Sequence, residues 1–199
     1  MEKRELIELS KLGQESRSLD YKESVSWKDY QKKYAKTALG MANIRDGGII
    51  IVGVEEVERN KFVRKGVLEE HLKAYNSDEM LAYINNYADP YIRLEVILFE
   101  DDQMNFIAIV IHEFDDIPVV CKGNKGNKEL RKGAMYTRSH RMPETCEVPS
   151  QTEMREILDL AAEKGLRKFL QRARRAGIEM EGGKIETDED KFNQQLDGL

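Results

Sequence analysis

The chain has 199 residues, of which 40% are hydrophobic, and this is enough apolar material for one compact domain with a core. No apolar stretch approaches the roughly 18 residues that a membrane-spanning helix needs, and the first residues do not resemble a signal peptide, so we expect a soluble, cytoplasmic protein. The two cysteines and three histidines are scattered, which argues against a disulfide scaffold and a zinc finger.

Two helices are predicted in the first part of the chain. The spacing of leucine and isoleucine indicates a helix over residues 2–12 that ends at Gly13. Apolar residues recur every three to four positions over residues 27–43, which is typical of an amphipathic helix. Ser26 and Asp29 have the spacing of a capping box and are predicted to begin this second helix.

Two strands are predicted beside these helices. Residues 19–22 alternate apolar and polar side chains, which predicts a short strand with Asp20 and Lys22 on its solvent side. Residues 49–54 form an unbroken apolar run that is rich in β-branched side chains, which predicts a strand buried on both faces. This second strand ends in two consecutive glutamates.

Acidic residues lie at or just beyond the ends of these predicted elements. Glu15, Asp20 and either Glu55 or Glu56 would approach one another if the elements were neighbours in one sheet. Three adjacent carboxylates repel one another unless a cation binds them, and oxygen ligands favour Mg²⁺ or Mn²⁺ over zinc. The alternative is that these are ordinary surface acids, because 37 of the residues are acidic.

The middle of the chain predicts further sheet and helix. Residues 61–66 are a loop or a short strand, and residues 77–88 have the period of an amphipathic helix. Residues 92–98 and 106–111 predict a hairpin that extends the sheet, and residues 117–120 predict another short strand. The fold class is therefore predicted to be α+β, with a mixed sheet flanked by helices and a long C-terminal helix.

Positive charge gathers in residues 121–141, which contain one acidic residue, Glu129. The basic residues of this segment are Lys122, Lys125, Lys128, Arg131, Lys132, Arg138 and Arg141. A flexible basic hairpin suits contact with phosphates, whose neutralisation releases counterions, whereas the alternative is a solubilising loop. Tyr136 shares a strand face with Arg138, and it either stacks on a base or packs on the sheet.

The C-terminal part is predicted to contain one long helix and an acidic tail. Ser150 and Glu153 form a capping box at the start of a helix that runs to about Ala176 and ends in basic turns. The predicted organisation is a domain over residues 1–148, a basic amphipathic helix over 149–178 that packs on this domain or on a dimer partner, and a disordered acidic tail over 179–199. The tail has a net charge of −5, because it has seven acidic and two basic residues, so the rest of the chain is neutral.

Several of these motifs resemble the signature of the Schlafen AlbA-like domain family. The similarity extends over about residues 13–145, and the residues that support it are Glu15, Leu19-Asp20-Tyr21-Lys22, Ala42-Asn43, Gly47 to Glu56, Asp89-Pro90, Ile117 to Val120 and Ala134 to Ser139. The resemblance implies a nucleic-acid-binding domain. Some animal members of this family are metal-dependent endoribonucleases that cut tRNA and rRNA with three carboxylates. The resemblance implies this activity as a second possibility.

By motif position, the resemblance assigns these catalytic and metal-binding carboxylates to Glu15, Asp20 and Glu56. Asp20 is one methylene shorter than the glutamate of the family pattern, and Glu56 is one methylene longer than its aspartate. Mg²⁺ or Mn²⁺ would be the cofactor of such a site. The candidate nucleic-acid-binding residues are Lys22, Lys122, Lys125, Lys128, Arg131, Lys132, Tyr136, Arg138 and Arg141.

Three functions follow from these observations. The leading hypothesis is a module that binds the backbone of RNA or DNA through the basic hairpin and the basic end of the last helix, without catalysis. The second is a metal-dependent endoribonuclease, which we expect to act as a homodimer because the animal nucleases pair two similar lobes. The third is a regulatory module that binds an acidic protein partner. No phosphate-binding loop motif is present, so we assign no nucleotide cofactor.

Overall fold

A mixed sheet of four strands lies at the centre of the fold. The structure is a computed structural model that describes residues 1–123, 130–141 and 143–178. Its helices are α1 (Lys3–Lys11), α2 (Gln31–Ala42), α3 (Glu69–Leu72), α4 (Ser77–Asn85) and α5 (Gln151–Arg175). Its strands are β1 (Leu19–Lys22), β2 (Gly48–Val52), β3 (Val54–Glu58), β4 (Lys61–Arg64), β5 (Ala88–Asp89), β6 (Leu94–Asp101), β7 (Met104–Ile111), β8 (Val120–Cys121), β9 (Tyr136–Arg138) and β10 (Thr145–Glu147).

The strand order in the central sheet is β1-β2-β7-β6. β1 runs parallel to β2, with Asp20 opposite Ile50, and β7 is antiparallel to both β2 and β6. The predicted hairpin is confirmed as β6 and β7, which turn at Asp102 and Gln103. The α+β class, the mixed sheet and the long C-terminal helix are also confirmed.

The two faces of the sheet have separate cores because neighbouring side chains on a strand point to opposite sides. On one face, Ile50 and Ile109 pack with α2, α4 and the first part of α5. On the other face, Ile51 and Ala108 pack with Leu6 of α1. Helices α1 and α2 therefore lie on opposite sides of the sheet.

The start of α2 differs from the prediction. A short 3-10 helix covers Trp27–Asp29, and α2 begins only after Tyr30. Ser26 precedes the 3-10 helix but makes no capping hydrogen bond with its side chain, so the predicted capping box is wrong. The buried ring of Trp27 donates a hydrogen bond to the carbonyl of Ala74 at 2.5 Å, and this tertiary contact lies where the helical period predicted a regular turn.

The chain bends sharply between β2 and β3. Gly53 has a φ of +105°, and a Cβ there would lie 2.8 Å from the ring of Phe106. Beyond this glycine, the chain continues as the β3–β4 hairpin, which pairs outside the central sheet. Of the two alternatives predicted for residues 61–66, a loop or a short strand, the structure has the strand β4 over Lys61–Arg64.

Helix α4 begins at the predicted Ser77 but ends at Asn85 rather than at residue 88, and the short helix α3 was not predicted. Asn76 caps α4, because its side chain accepts a hydrogen bond from the amide of Glu79 at 3.0 Å. At the start of α5, the amide of Glu153 donates to the hydroxyl of Ser150 at 3.2 Å, as predicted. Among the described residues, no helix is both long enough and apolar enough to cross a membrane.

The boundary between two units of the chain falls within helix α5, between Lys164 and Gly165. In the first unit, Ile157 and Leu160 are buried in the core beside α2. In the described part of the second unit, Leu166 and Phe169 are each 59% exposed. The acidic tail from residue 179 lies outside the described residues, so its predicted disorder stays a prediction.

Candidate nucleic-acid interface

Asp20 lies at the centre of a buried charge cluster on β1. The prediction of a solvent-exposed side chain is wrong, because Asp20 is only 5% exposed. The guanidinium of Arg138 donates a hydrogen bond from Nη1 to Oδ1 of Asp20 at 2.9 Å, and Lys22 forms a close ion pair with Oδ2. Two cations therefore already neutralise this carboxylate.

Arg138 is almost completely buried, at 1% exposure, and has a structural position. Besides Asp20, its guanidinium donates hydrogen bonds to the carbonyls of Ser16 at 2.9 Å, Arg17 at 3.2 Å and Leu19 at 3.3 Å. An arginine with these internal partners connects β9 to the chain around β1. This placement does not support the predicted contact of Arg138 with phosphate.

Glu15 lies next to this cluster at the start of the family motif. Its Oε1 accepts a hydrogen bond from the amide of Tyr21 at 2.8 Å. Burial and the neighbouring Asp20 raise the pKa of Glu15, while the Tyr21 amide, Lys22 and Arg138 act in the opposite direction. Glu15 and Asp20 are thus brought together, as predicted.

The third predicted carboxylate, Glu56, lies in the β3–β4 hairpin. Glu56 is exposed on β3, and its Oε1 accepts a hydrogen bond from the amide of Asn60 across the β3–β4 turn at 2.8 Å. Its neighbour Glu55 forms an ion pair with Lys65 at 2.7 Å. Both glutamates are therefore within a hairpin, and not at the end of a strand of the central sheet.

The three carboxylates do not fit a shared metal site. Within residues 1–123, 130–141 and 143–178, no group of three acidic, histidine or cysteine side chains is arranged to hold a metal ion. Asp20 already has two cationic partners, and Glu56 is held by its own turn. We therefore assign no catalytic step to a metal at Glu15, Asp20 and Glu56.

The described basic residues around the predicted hairpin are mostly on the surface. Lys122, Arg131, Lys132 and Arg141 are exposed. Arg131 is paired with Glu147, because its Nη2 donates to Oε2 at 2.5 Å and its Nε donates to Oε1 at 3.0 Å. The ammonium of Lys122 lies 4.7 Å from the ring centroid of Tyr91. Lys125 and Lys128 lie outside the described residues.

Tyr136 is 2% exposed, so its ring packs in the core and is not open to a base. Its hydroxyl accepts a hydrogen bond from the amide of Arg131 at 2.8 Å. Of the two alternatives for Tyr136, packing on the sheet agrees with the structure and stacking on a base does not. Through its hydroxyl, Tyr136 also holds the backbone at Arg131.

A basic cleft at the beginning of α2 was not among the predicted sites. It has a volume of about 370 Å³, and its lining includes Lys28, Tyr30, Lys32, Lys33 and Tyr83. The signal in the sequence is the short run Lys-Asp-Tyr-Gln-Lys-Lys, in which three lysines surround a tyrosine. The helical period of this part of the sequence predicts the buried side of α2 and gives no information about its exposed start.

Comparison with known proteins identifies the family. The sequence profile of the Schlafen AlbA_2 family matches residues 15–147, which is more than half of the chain. The chain belongs to this family, and membership suggests a nucleic-acid-related function. No curated protein matches the chain.

Solved structures give more distant similarities. The DIP2311 protein from Corynebacterium diphtheriae is 16% identical with a TM-score of 0.46, and the match covers 70% of this chain and 23% of that one. The N-terminal domain of a RecG-related protein from Nitrosomonas europaea is 19% identical with a TM-score of 0.41, covering 70% of this chain and 95% of that one. The chain thus spans about a quarter of the length of the Corynebacterium protein.

Proposed function

We propose that this chain binds RNA or DNA by its phosphate backbone, through exposed basic residues of segment 121–141. The observation that carries the proposal is the charge of this segment, which has seven basic residues and one acidic residue in a chain of negative net charge. Family membership supports the same function.

Four basic side chains of the segment, Lys122, Arg131, Lys132 and Arg141, are exposed. Lys122 and Lys132 flank the undescribed residues 124–129 and are the best candidates for phosphate contacts, because Arg131 is already paired with Glu147. Each lysine that neutralises a phosphate adds affinity that does not depend on base sequence and decreases with salt.

Fluorescence anisotropy with labelled RNA and DNA, single-stranded and duplex, tests the proposal at several salt concentrations. We expect wild-type binding to fall steeply with salt and the double variant Lys122→Glu/Lys132→Glu to lose at least about tenfold in affinity at low salt. The matched control is Lys3→Glu/Arg4→Glu, which makes the same charge change on α1 at the opposite face of the sheet.

Equal losses in the two double variants would indicate a general charge effect and contradict binding by segment 121–141. If the wild-type protein binds none of the four nucleic acids, nucleic-acid binding itself is wrong and a protein-interaction role is favoured. The endoribonuclease hypothesis has less support, since no group of three acidic, histidine or cysteine side chains among the described residues is arranged to hold a metal ion. We expect binding without cleavage when Mn²⁺ or Mg²⁺ is added to the same mixtures.

The homodimer also stays a prediction. Sedimentation of the wild-type protein with and without nucleic acid measures it directly.

A further inference from the structure

The cleft at the beginning of α2 combines positive charge with aromatic surface. Lys28, Lys32 and Lys33 line it, and Asp29 is the one acidic residue among its described lining. Lys28 forms an exposed ion pair with Glu79 at 2.9 Å. In the described part of the chain, no carboxylate lies within ion-pair distance of Lys32 or Lys33, and both lysines are exposed. Their charges are therefore available to a ligand.

The aromatic part of the cleft is accessible. Tyr30 is 38% exposed, and the ammonium of Lys33 lies 5.1 Å from the centroid of its ring. Tyr83 packs edge-on against Trp27, with ring centroids 5.8 Å apart, and is only partly buried. Lysines beside an exposed tyrosine are the combination that binds single strands, because the lysines contact phosphates while bases stack on the ring.

Helix α2 connects this cleft to segment 121–141. Lys36 lies one helical turn after Lys32. The hydrogen bond from Arg131 is the main cause that lowers the pKa of Glu147, and the positive charge of Lys36 contributes to the same effect. Basic side chains thus follow α2 from the cleft to the neighbourhood of Arg131.

The packing of α2 on the β9–β10 hairpin holds these regions together. A Cβ at Gly40 would lie 2.6 Å from the side chain of Thr145 and 3.3 Å from the backbone of Thr137, so the helix approaches the hairpin closely. The side chain of Asn43, at the end of α2, donates to the carbonyl of Val119 at 2.8 Å and of Tyr136 at 2.9 Å. The two basic regions therefore belong to one packed body.

We propose that the cleft binds a single-stranded segment of nucleic acid, with phosphates on Lys32 and Lys33 and an unstacked base against Tyr30. This inference rests on the proposed function and adds a strand preference to it. Bases of a duplex are stacked on one another and cannot reach Tyr30, whereas bases of a single strand can. The cleft should therefore contribute more to single-strand binding than to duplex binding.

The test measures the affinities of a 20-nucleotide oligouridylate and a 20-base-pair RNA duplex by fluorescence anisotropy. We expect Tyr30→Leu to weaken oligouridylate binding by about tenfold and to leave duplex binding within about twofold, because stacking is lost. Tyr30→Phe keeps the ring and should bind like wild type. The side chain of Tyr30 makes no capping hydrogen bond to α2, so these substitutions should leave the helix intact.

The charge of the cleft is tested by Lys32→Glu/Lys33→Glu against the matched Lys3→Glu/Arg4→Glu control. We expect the cleft variant to bind oligouridylate at least about tenfold more weakly than the control. Trp27 is the single tryptophan of the chain and its ring packs against Tyr83, so oligouridylate should change its fluorescence in wild type but not in the cleft variant.

The outcomes separate this inference from the proposed function. If wild type binds and the Lys122→Glu/Lys132→Glu variant loses affinity, while the cleft variant matches its control and Tyr30→Leu matches Tyr30→Phe, the proposed function holds and the cleft inference is wrong. If wild type binds neither nucleic acid, both are wrong. Circular dichroism of every variant confirms that it is folded.

Discussion

The charge cluster of β1 and the cleft of α2 use similar residues in opposite ways. In the cluster, Asp20 is buried between Arg138 and Lys22, and each charge has an internal partner. In the cleft, Lys32 and Lys33 are exposed, with no carboxylate of the described residues within ion-pair distance. The first region stabilises the fold, and the second is open to a polyanion.

A basic residue in a sequence therefore indicates a nucleic-acid-binding site only when the structure shows that no acidic side chain is already paired with it. Arg138 and Lys22 both lie in motifs that resemble the family signature, yet both are paired with Asp20, and Arg138 is also buried. Lys32 lies in a helix with no motif, yet its charge is available.

Loss of the buried carboxylate should destabilise the protein most. Asp20→Ala leaves the guanidinium of Arg138 buried without its charged partner, and we expect a loss of about 3–5 kcal/mol in the free energy of unfolding. Urea denaturation followed by circular dichroism measures this loss.

The matched control is Glu147→Ala, which removes the carboxylate opposite Arg131 on the surface. Because exposed ion pairs contribute little, this variant should unfold within experimental error of wild type. Similar losses in Asp20→Ala and Glu147→Ala would contradict the distinction between the buried and the open charges.

The salt dependence of binding should separate an open lysine from a paired one. Lys32→Ala should reduce the slope of log K against log salt for a single strand by about 0.7, the value for one lost phosphate contact. Lys22→Ala should leave the slope unchanged, because the ammonium of Lys22 is already paired with Asp20. A larger change for Lys22→Ala than for Lys32→Ala would reverse the assignment of the two regions.

The pH dependence of stability should change slightly when Glu15 is replaced by glutamine. Burial and Asp20 raise the pKa of Glu15 above its ordinary value of 4.5, so the folded protein binds this proton more tightly than the unfolded chain does. Ionisation of Glu15 therefore opposes folding. Its cost is absent well below pH 4.5 and grows as the pH rises from 4.5 through the folded-state pKa.

Glu15→Gln lacks this cost. We expect the stability of the variant relative to wild type to increase over that pH range and then stay constant, as measured by urea unfolding at a series of pH values. A relative decrease over the same range would mean that Lys22 and Arg138 outweigh burial and Asp20 at this site.

Much of the fold was predictable because its signals are local. The β6–β7 hairpin, the buried strand β2 and the Ser150 cap of α5 follow from alternation, apolar runs and cap spacing, each of which acts within a few residues. The break at Tyr30 between the 3-10 helix and α2 was not predicted, because the hydrogen bond from Trp27 to Ala74 joins residues that are 47 positions apart. A short-range pattern carries no information about such a contact.

The candidate site was less predictable for the same reason. The proximity of Glu15 and Asp20 follows from their spacing on one short segment, but the burial of Asp20 depends on Arg138, which is 118 residues away. Glu56 was expected at a strand end, whereas Gly53 redirects the chain into a separate hairpin. The open lysines at the start of α2 were overlooked because helical periodicity describes the buried side of a helix and says little about its exposed end.

The position of Lys36 on α2 sets the spacing between the two basic regions. Lys36 is four residues after Lys32, so the two residues lie about 6 Å apart along the helix axis at about 1.5 Å per residue. A strand that occupies the cleft therefore has the next positive charge about one helical turn away, on the side of α2 that faces Glu147 and Arg131. We expect affinity to increase with strand length until the strand contacts both regions and then to stay constant.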